Sequence, residues 1–306
     1  MEMRQFRYLV ALADEGSFTR AAAKVLVAQP ALSQQIAKLE AELGLPLVDR
    51  TTRRVRMTEA GERLVGHARR VLKQVDVARE DMADLAGVRT GRLVIGASQT
   101  VGGFDLSGRL ADFHRAHPAV DLAVREGLSV SLAARLRADE LDLAFLTVDE
   151  GPAIAGLELH VVSTEELVAM LPPAHPLAGR RRLHVRDLAG HAVVTFRRGA
   201  TIRRRLDEAA AAAGFELRVA FESNEVARMR SIAGAGLAIA VLPRTDAELP
   251  GPEITIARLA DPGFEHKVYM SWREGRHHSP AARAFIELSL AGRDATRRPR
   301  PRPARS

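Results

Sequence analysis

The hydrophobic period of this chain changes once, near Gly91, and that change limits what it can fold into. Up to about residue 87 the apolar residues recur at helical spacing, whereas from Arg92 onward short apolar runs of strand length alternate with helical stretches. A helical N-terminal part therefore precedes an α/β part, and 306 residues suit two or three domains of ordinary size.

In residues 4–13, Phe6, Leu9, Val10 and Ala13 form the apolar stripe of a helix lying on a core. Asp14 to Ser17 end it, and Ser17 suits the N-cap of a second helix over 18–26. After a break at 27–29, Pro30 fits the first turn of a third helix, which runs through Leu32, Ile36 and Leu39 to about Leu43 before Gly44. Residues 45–56 read as an extended or hairpin segment carrying Arg50, Arg53, Arg54 and Arg56. Thr58 then starts a helix with Glu59 and Glu62 in its first turn. That pattern continues to about Gly87, with Leu64, Val71, Leu72, Val75, Met82 and Leu85 on one stripe. So long a helix cannot bury itself against a small head, so it is expected to pair with a second copy.

The α/β part opens with the run Arg92 to Gly96. There follow a helix over 103–117, a strand over 120–126, a helix over 130–138 and a buried strand over 141–147. A second unit starts near Val162, with strands over 167–171, 192–196, 217–221 and 237–242 and helices over 201–213 and 226–234. A strand over 268–272 and a helix over 280–290 return to the first unit. Such alternation predicts parallel sheets.

Net charge is +7, which ordinarily indicates a polyanionic partner. The excess says little here, because only Lys24, Lys38, Lys73 and Lys267 are lysine and composition favours arginine. Arg293 and five more arginines, against Asp294, also lie in or beside a Pro/Arg tail, residues 294–306, that is expected to be disordered. The absence of cysteine excludes disulfides, thiolate metal sites and a cysteine nucleophile. No apolar run is long enough for a signal peptide near the start or for a membrane span elsewhere, so the expected place is the cytoplasm, with no membrane partner.

The segment FTRAAAKVLVAQPALSQQIAKLEAELGLPLVDR over residues 18–50 resembles the head of the LysR-type transcriptional regulators. The resemblance continues through MTEAG (57–61), GRLVIG (91–96), LDLAF (141–145) and GAGLAIAVLP (234–243), and covers nearly the whole chain except the tail. One departure is Val48, where the family usually places an aromatic residue. The implied architecture is an α/β chain with an all-α winged helix-turn-helix head at 1–61 and a linker helix at 58–90. A two-lobed, periplasmic-binding-protein-like effector domain follows at 91–293, with lobe one about 91–161 and 268–293 and lobe two about 162–267. The implied activity is transcription regulation through double-stranded DNA, at an interrupted palindromic operator. A small-molecule effector and RNA polymerase are the further partners, the assembly a homodimer or homotetramer, and no cofactor or metal is expected.

A recognition helix must put short polar groups at its N-terminal end, where they reach base edges in the major groove. Gln29, Pro30, Ser33 and Gln34 lie there, with Lys38 one turn on, and Arg53 and Arg54 on the wing suit phosphate or the minor groove. Alone, these polar residues would read as a solvated helix face; joined to the head pattern they read as a DNA surface. For the effector, the family's cleft between the lobes carries over to Ser98, Thr100, Ser129, Thr195, Phe196, Thr201 and Asn224. Arg197, Arg198 and Arg203 stand near them and point to a carboxylate.

An enzyme reading finds little support. The sequence around Ser98 lacks the second glycine of a nucleophile elbow. His114 with His117, and His277 with His278, lack metal-ligand spacing, and Gly234-Ala-Gly236 is a fragment of a dinucleotide fingerprint that follows a helix rather than a strand. The alternative of a solute-binding protein without regulatory role shares the two-lobed fold but leaves the head unexplained.

Overall fold

The computed structural model describes residues 1–49, 55–85, 91–149 and 154–291, which form two compact units, one N-terminal and one beginning at Gly91. Among these residues no helix is long and apolar enough to cross a membrane.

The N-terminal unit consists of α1 (Met3–Glu15), α2 (Phe18–Lys24), α3 (Gln29–Leu43), a hairpin of β1 (Val48–Asp49) and β2 (Arg56–Met57), and α4 (Glu59–Leu85). The ends of α1 extend beyond its apolar stripe because they are capped. Glu2 N donates to Gln5 Oε1 (2.7 Å), and Gly16, at φ 57°, donates to the Leu12 carbonyl (2.9 Å). Ser17 Oγ accepts from Arg20 N at the start of α2, and Gly44 (φ 66°) closes α3. The core joins Leu9, Leu12, Ala21, Ala22, Leu32, Ile36 and Leu39 to Leu47, Val48 and Val65. Phe6, Val10 and Ala13 are only half-buried. α1 packs against α2, α3 and α4 together, so its buried face is wider than the expected stripe and takes in Ala11 and Leu12.

The hairpin is tied to both neighbouring helices. Glu40 Oε1 on α3 accepts from Leu47 N (2.8 Å) and Val48 N (3.1 Å). Thr58 N donates to the Leu47 carbonyl (3.0 Å), and Thr58 Oγ1 donates to the Pro46 carbonyl (2.7 Å) while accepting from Gly61 N (3.0 Å). The first turn of α4 lies so close to β1 that a Cβ at Gly61 would stand 2.1 Å from the Leu47 carbonyl oxygen.

The larger unit runs β3 (Gly91–Ala97), α5 (Leu106–Ala116), β4 (Val120–Glu126), α6 (Ser129–Arg137), β5 (Leu143–Leu146), β6 (Leu157–Leu171) and β7 (Arg182–Leu183). It continues with a 3-10 turn (Val185–Leu188), β8 (Ala192–Thr195), α7 (Thr201–Ala212), β9 (Arg218–Glu222), α8 (Val226–Gly234), β10 (Ile239–Pro243) and α9 (Arg244–Ala247). β11 (Thr255–Leu259), β12 (Glu265–Arg273) and α10 (Pro280–Ala291) complete it. The strand order is β4-β3-β5-β12-β6-β10-β8-β9, with β11 on β6 and β7 on β11.

Lobe one packs Leu93, Ile95 and Ala97 of β3 with Phe113, Phe145, Met270, Trp272 and Phe285 on one face. On the other face Leu132, Ala133 and Leu136 of α6 meet Leu141, Ala144 and Leu146. Asp142 and Arg276 brace it, each with a side chain 2% exposed. Asp142 Oδ1 accepts from Arg276 Nη2 (2.6 Å), and its Oδ2 accepts from Val94 N (2.7 Å). Lobe two gathers Leu167 to Leu171, Val194, Phe196, Leu206, Met229 and Ile239 to Leu242.

The expectation of parallel sheets holds only in part. β3 is parallel to β4 and β5, and β8 to β9 and β10. β12 is antiparallel to β5 and β6, and β6 is antiparallel to β10 and β11. The reason is that β6 and β12 belong to both lobes. Val162 packs in lobe one and Leu167 in lobe two, while Phe264 packs in lobe two and Val268 in lobe one, so the pair crosses between the lobes in opposite directions. The strand expected over 167–171 is thus the last third of β6, and β7 and β11 have no counterpart in the sequence reading.

Candidate nucleic-acid interface and ligand cleft

The start of α3 gathers four of the residues expected to read DNA. Leu32, Ile36 and Leu39 are fully buried, which leaves Gln29, Pro30, Gln34 and Lys38 exposed on the opposite side and Ser33 half-buried beside them. Lys38 Nζ lies 3.7 Å from Glu2 Oε1, so part of its charge is met within the head. Arg53 and Arg54 lie outside the described residues.

Two features of the turn before α3 escaped the sequence reading. The N-cap of α3 is Ala28, which has no side chain to accept from the first-turn N–H groups. Pro30 has no N–H to offer, and Ala31 N (3.0 Å) and Leu32 N (3.2 Å) donate to the Ala28 carbonyl instead. Leu26 adopts φ 57° and is 91% exposed, an unfavourable conformation for leucine with no burial in return. Pattern reading misses such positions because αL geometry leaves no apolar period.

In the larger unit a narrow cleft between the lobes, with a cavity volume of about 20 Å³, is lined from lobe one by Ser98, Gln99, Thr100, Leu128, Ser129 and Thr147. Phe196, Gly199, Thr201 and Ile202 line it from lobe two. Five of the seven expected residues thus meet: Ser98, Thr100, Ser129, Phe196 and Thr201. Thr195 and Asn224 are not among its walls. Thr195 is fully buried beneath, and Asn224 Oδ1 accepts from Arg197 N (3.2 Å), bracing the loop before α7.

The hydroxyls have different tasks. Ser129 Oγ accepts from Thr147 N (3.0 Å), and Thr201 Oγ1 reaches across the cleft to donate to the Thr147 carbonyl (2.5 Å). Thr147, absent from the sequence reading, is therefore the link between lobes. A second link joins Asp149, after β5, to Arg204 and Arg205 of α7, with Arg205 Nε at 2.9 Å. Ser98 Oγ is buried and has no hydrogen-bond partner among the described residues. The first residues of α6 and α7 both line the cleft, and Ala200, the N-cap of α7, provides no side-chain cap.

The nearby arginines do not supply positive charge. Arg203 is buried facing away, with Asp207 (2.8 Å), Glu222 (2.7 Å) and the Phe196 carbonyl as its acceptors. Arg197 and Arg198 are exposed and line no part of the cleft. Composition placed arginine near many positions, and proximity in sequence did not aim these side chains inward.

Comparison with known proteins follows the same division. Residues 3–62 match the bacterial regulatory helix-turn-helix proteins of the lysR family, and residues 86–293 match the LysR substrate binding domain. The chain is 31% identical to the HTH-type transcriptional regulator BudR of Raoultella terrigena, over 94% of this chain and 100% of that one. It is 27% identical to a full-length cysteine-to-aspartate variant of OxyR from Pseudomonas aeruginosa, covering 95% and 94% of the two chains with a TM-score of 0.74. Full-length CbnR complexed with its target DNA shares the fold at 23% identity and TM-score 0.65, over 95% of this chain and 99% of that one. The curated relatives are named as regulators, not as solute carriers.

Proposed function

This chain belongs to the LysR family of bacterial transcriptional regulators, and on that premise we propose that its head reads operator DNA with Gln29, Pro30, Ser33 and Gln34 while the cleft takes a small anion. In this reading residues 1–61 are the head, 58–90 the linker, 91–293 the effector domain with its lobes at 91–161 plus 268–293 and 162–267, and 294–306 a basic tail. The protein works in the cytoplasm as a homodimer or homotetramer on an interrupted palindrome, and no reaction is assigned to it.

One observation carries the choice of an anion: the buried Ser98 hydroxyl without a partner, beside the uncapped start of α7. Backbone N–H groups and a hydroxyl bind a carboxylate or similar oxyanion without a cationic side chain. Thr100 adds to this wall, while Ser129 is engaged with Thr147 within lobe one and Thr201 donates across the cleft to the Thr147 carbonyl. Effector binding then shifts an equilibrium between lobe arrangements and so changes how paired heads engage DNA. A thiol switch is chemically excluded, because the chain has no cysteine, whereas the matched OxyR variant was made by replacing one.

Two measurements test this. A mobility shift on the DNA upstream of the protein's own gene, at fixed salt, should show retardation that Gln34→Ala abolishes; equal binding by both proteins would remove Gln34 from the reading surface. A thermal-shift panel of carboxylates should contain compounds that raise the melting point of wild type but not of Ser98→Ala. Stabilisation only by neutral or cationic compounds would exclude an anion.

A further inference from the structure

Glu165 of β6 and His266 of β12 face each other in the ladder where the two strands pass between the lobes, and Asp246 of α9 comes to the same place. Asp246 is 6% exposed and its Oδ2 has no hydrogen-bond partner among the described residues. Glu165 Oε2 accepts from Thr245 N (2.8 Å), but its Oε1 is buried without a partner among the described residues. Two carboxyl groups therefore share an enclosed spot with one oxygen of each unsatisfied.

The cations nearby have other acceptors, Arg230 of α8 donating to the Ala247 carbonyl and to the Pro252 carbonyl (3.1 Å). Arg244 on α9 binds Glu166 (2.9 Å) and Glu248 (3.3 Å), and Arg258 on β11 binds Glu166 (3.1 Å). Arg205 on α7 is held by Asp149, and Lys267 faces Glu265 (3.9 Å) on β12. His266 is fully buried, and burial holds its ring below the ordinary histidine range, against the opposing pull of the Thr100 carbonyl and Glu165. Among the described residues neither Glu165 nor Asp246 has a cation at ion-pair distance. Holding two like charges side by side in that enclosed spot is costly. Burial first, and the Glu165 charge second, push the Asp246 carboxyl up to about 7.

The turn that carries part of the cleft rests on this pair. A Cβ at Gly102 would lie 2.5 Å from Asp246 Oδ1, and one at Gly103 2.3 Å from Ser163 Oγ and 2.6 Å from Glu165 Oε1, so the turn lies directly against both carboxyl groups. In the same turn the Thr100 carbonyl bonds His266 Nε2 (2.7 Å), and Gln99 and Thr100 line the cleft.

We propose that the Glu165–Asp246 pair is a proton-operated support for the ligand cleft. With one proton on the pair, residues 99–103 are seated on the crossing strands and the cleft is formed. Without it, two like charges lie under the turn, which lifts and weakens binding. The idea rests on reading the cleft as the effector site and adds pH control to it.

Hydrogen exchange with mass spectrometry tests this on the full chain without any effector, comparing wild type, Asp246→Asn and Glu165→Gln at pH 6 and pH 8 with times scaled for the chemical rate. The expected result is that peptides over residues 98–104 lose about tenfold protection in wild type between pH 6 and pH 8. Both variants should keep it, and peptides from β8 should not change. Equal protection at the two pH values in wild type, or the same loss in both variants, would overturn the proposal. So would a melting point raised by millimolar Mg²⁺ or Ca²⁺ in wild type alone, since the pair would then hold a cation. If no carboxylate binds the cleft, the exchange result still stands, so the two readings fail separately.

Discussion

Replacing Gly61 by alanine tests how the head holds its hairpin. Its Cβ would stand 2.1 Å from the Leu47 carbonyl oxygen and 3.0 Å from the carbonyl carbon, where ordinary contact begins at 3.4 Å. The obstacle is backbone, so β1 must retreat from α4 by more than about 1 Å. That retreat breaks the Thr58 N to Leu47 carbonyl bond and pulls Leu47 N and Val48 N away from Glu40. Losing two of these three bonds, at about 1 kcal/mol each, plus overpacking of about 1–3 kcal/mol, destabilises the head by roughly 3–5 kcal/mol. Urea unfolding separates the units, because the only tryptophan, Trp272, lies in lobe one and its fluorescence reports that lobe, while far-ultraviolet circular dichroism also reports the helical head. The first helical transition should fall by about 2 M urea with the tryptophan transition unmoved, and operator retardation should be lost. A helical transition identical to wild type would refute the claim that close approach dictates glycine here.

Leu26→Gly relieves an αL leucine that buries nothing, and should stabilise the head by about 0.5–1 kcal/mol after the entropy glycine adds to the unfolded chain; a lower helical midpoint would reveal a contact for the leucine. Arg276→Ala removes the guanidinium that neutralises the buried Asp142 carboxylate, and should cost lobe one about 3–5 kcal/mol, read as an earlier Trp272 transition; an unmoved transition would show that the brace is dispensable. Asp246, raised from 3.8 to about 7, binds its proton more tightly when folded, so its contribution is complete below about pH 4, declines up to pH 7 and is flat above. On the order of 4 kcal/mol is lost across that window, and Asp246→Asn should flatten that part of the melting-point profile. A variant with the wild-type slope would assign the titration to another group.

The head was legible because its signals are local. Ser17, Pro30 and Gly44 mark helix ends by their own chemistry, and Leu32, Ile36 and Leu39 mark one face at a period of about 3.6. The crossing strands were not legible in full, since residues 157–166 mix half-buried and exposed side chains and become a strand only by pairing with 265–273, about a hundred residues later. In the cleft the hydroxyl positions followed from the resemblance, but which hydroxyl is free did not. That depends on Thr147, which meets Ser129 and Thr201 only in three dimensions. Arg203 shows the opposite failure, since its neighbours in sequence suggested a ligand and its acidic partners on α7 and β9 occupy it.

The two crossing strands also impose an order of events during synthesis. The head and lobe two are continuous in sequence, so each can complete its core soon after its last strand or helix is made. Lobe one cannot, because Val268, Met270, Trp272 and Phe285 are translated after the whole of lobe two. Until β12 arrives, β5 is an uncovered edge facing a half-built apolar layer, a state open to pairing with another nascent chain. A chain that has emerged from the ribosome only as far as Phe264 would hold a folded head and lobe two beside an open lobe one, so it becomes competent to read DNA before it becomes competent to sense.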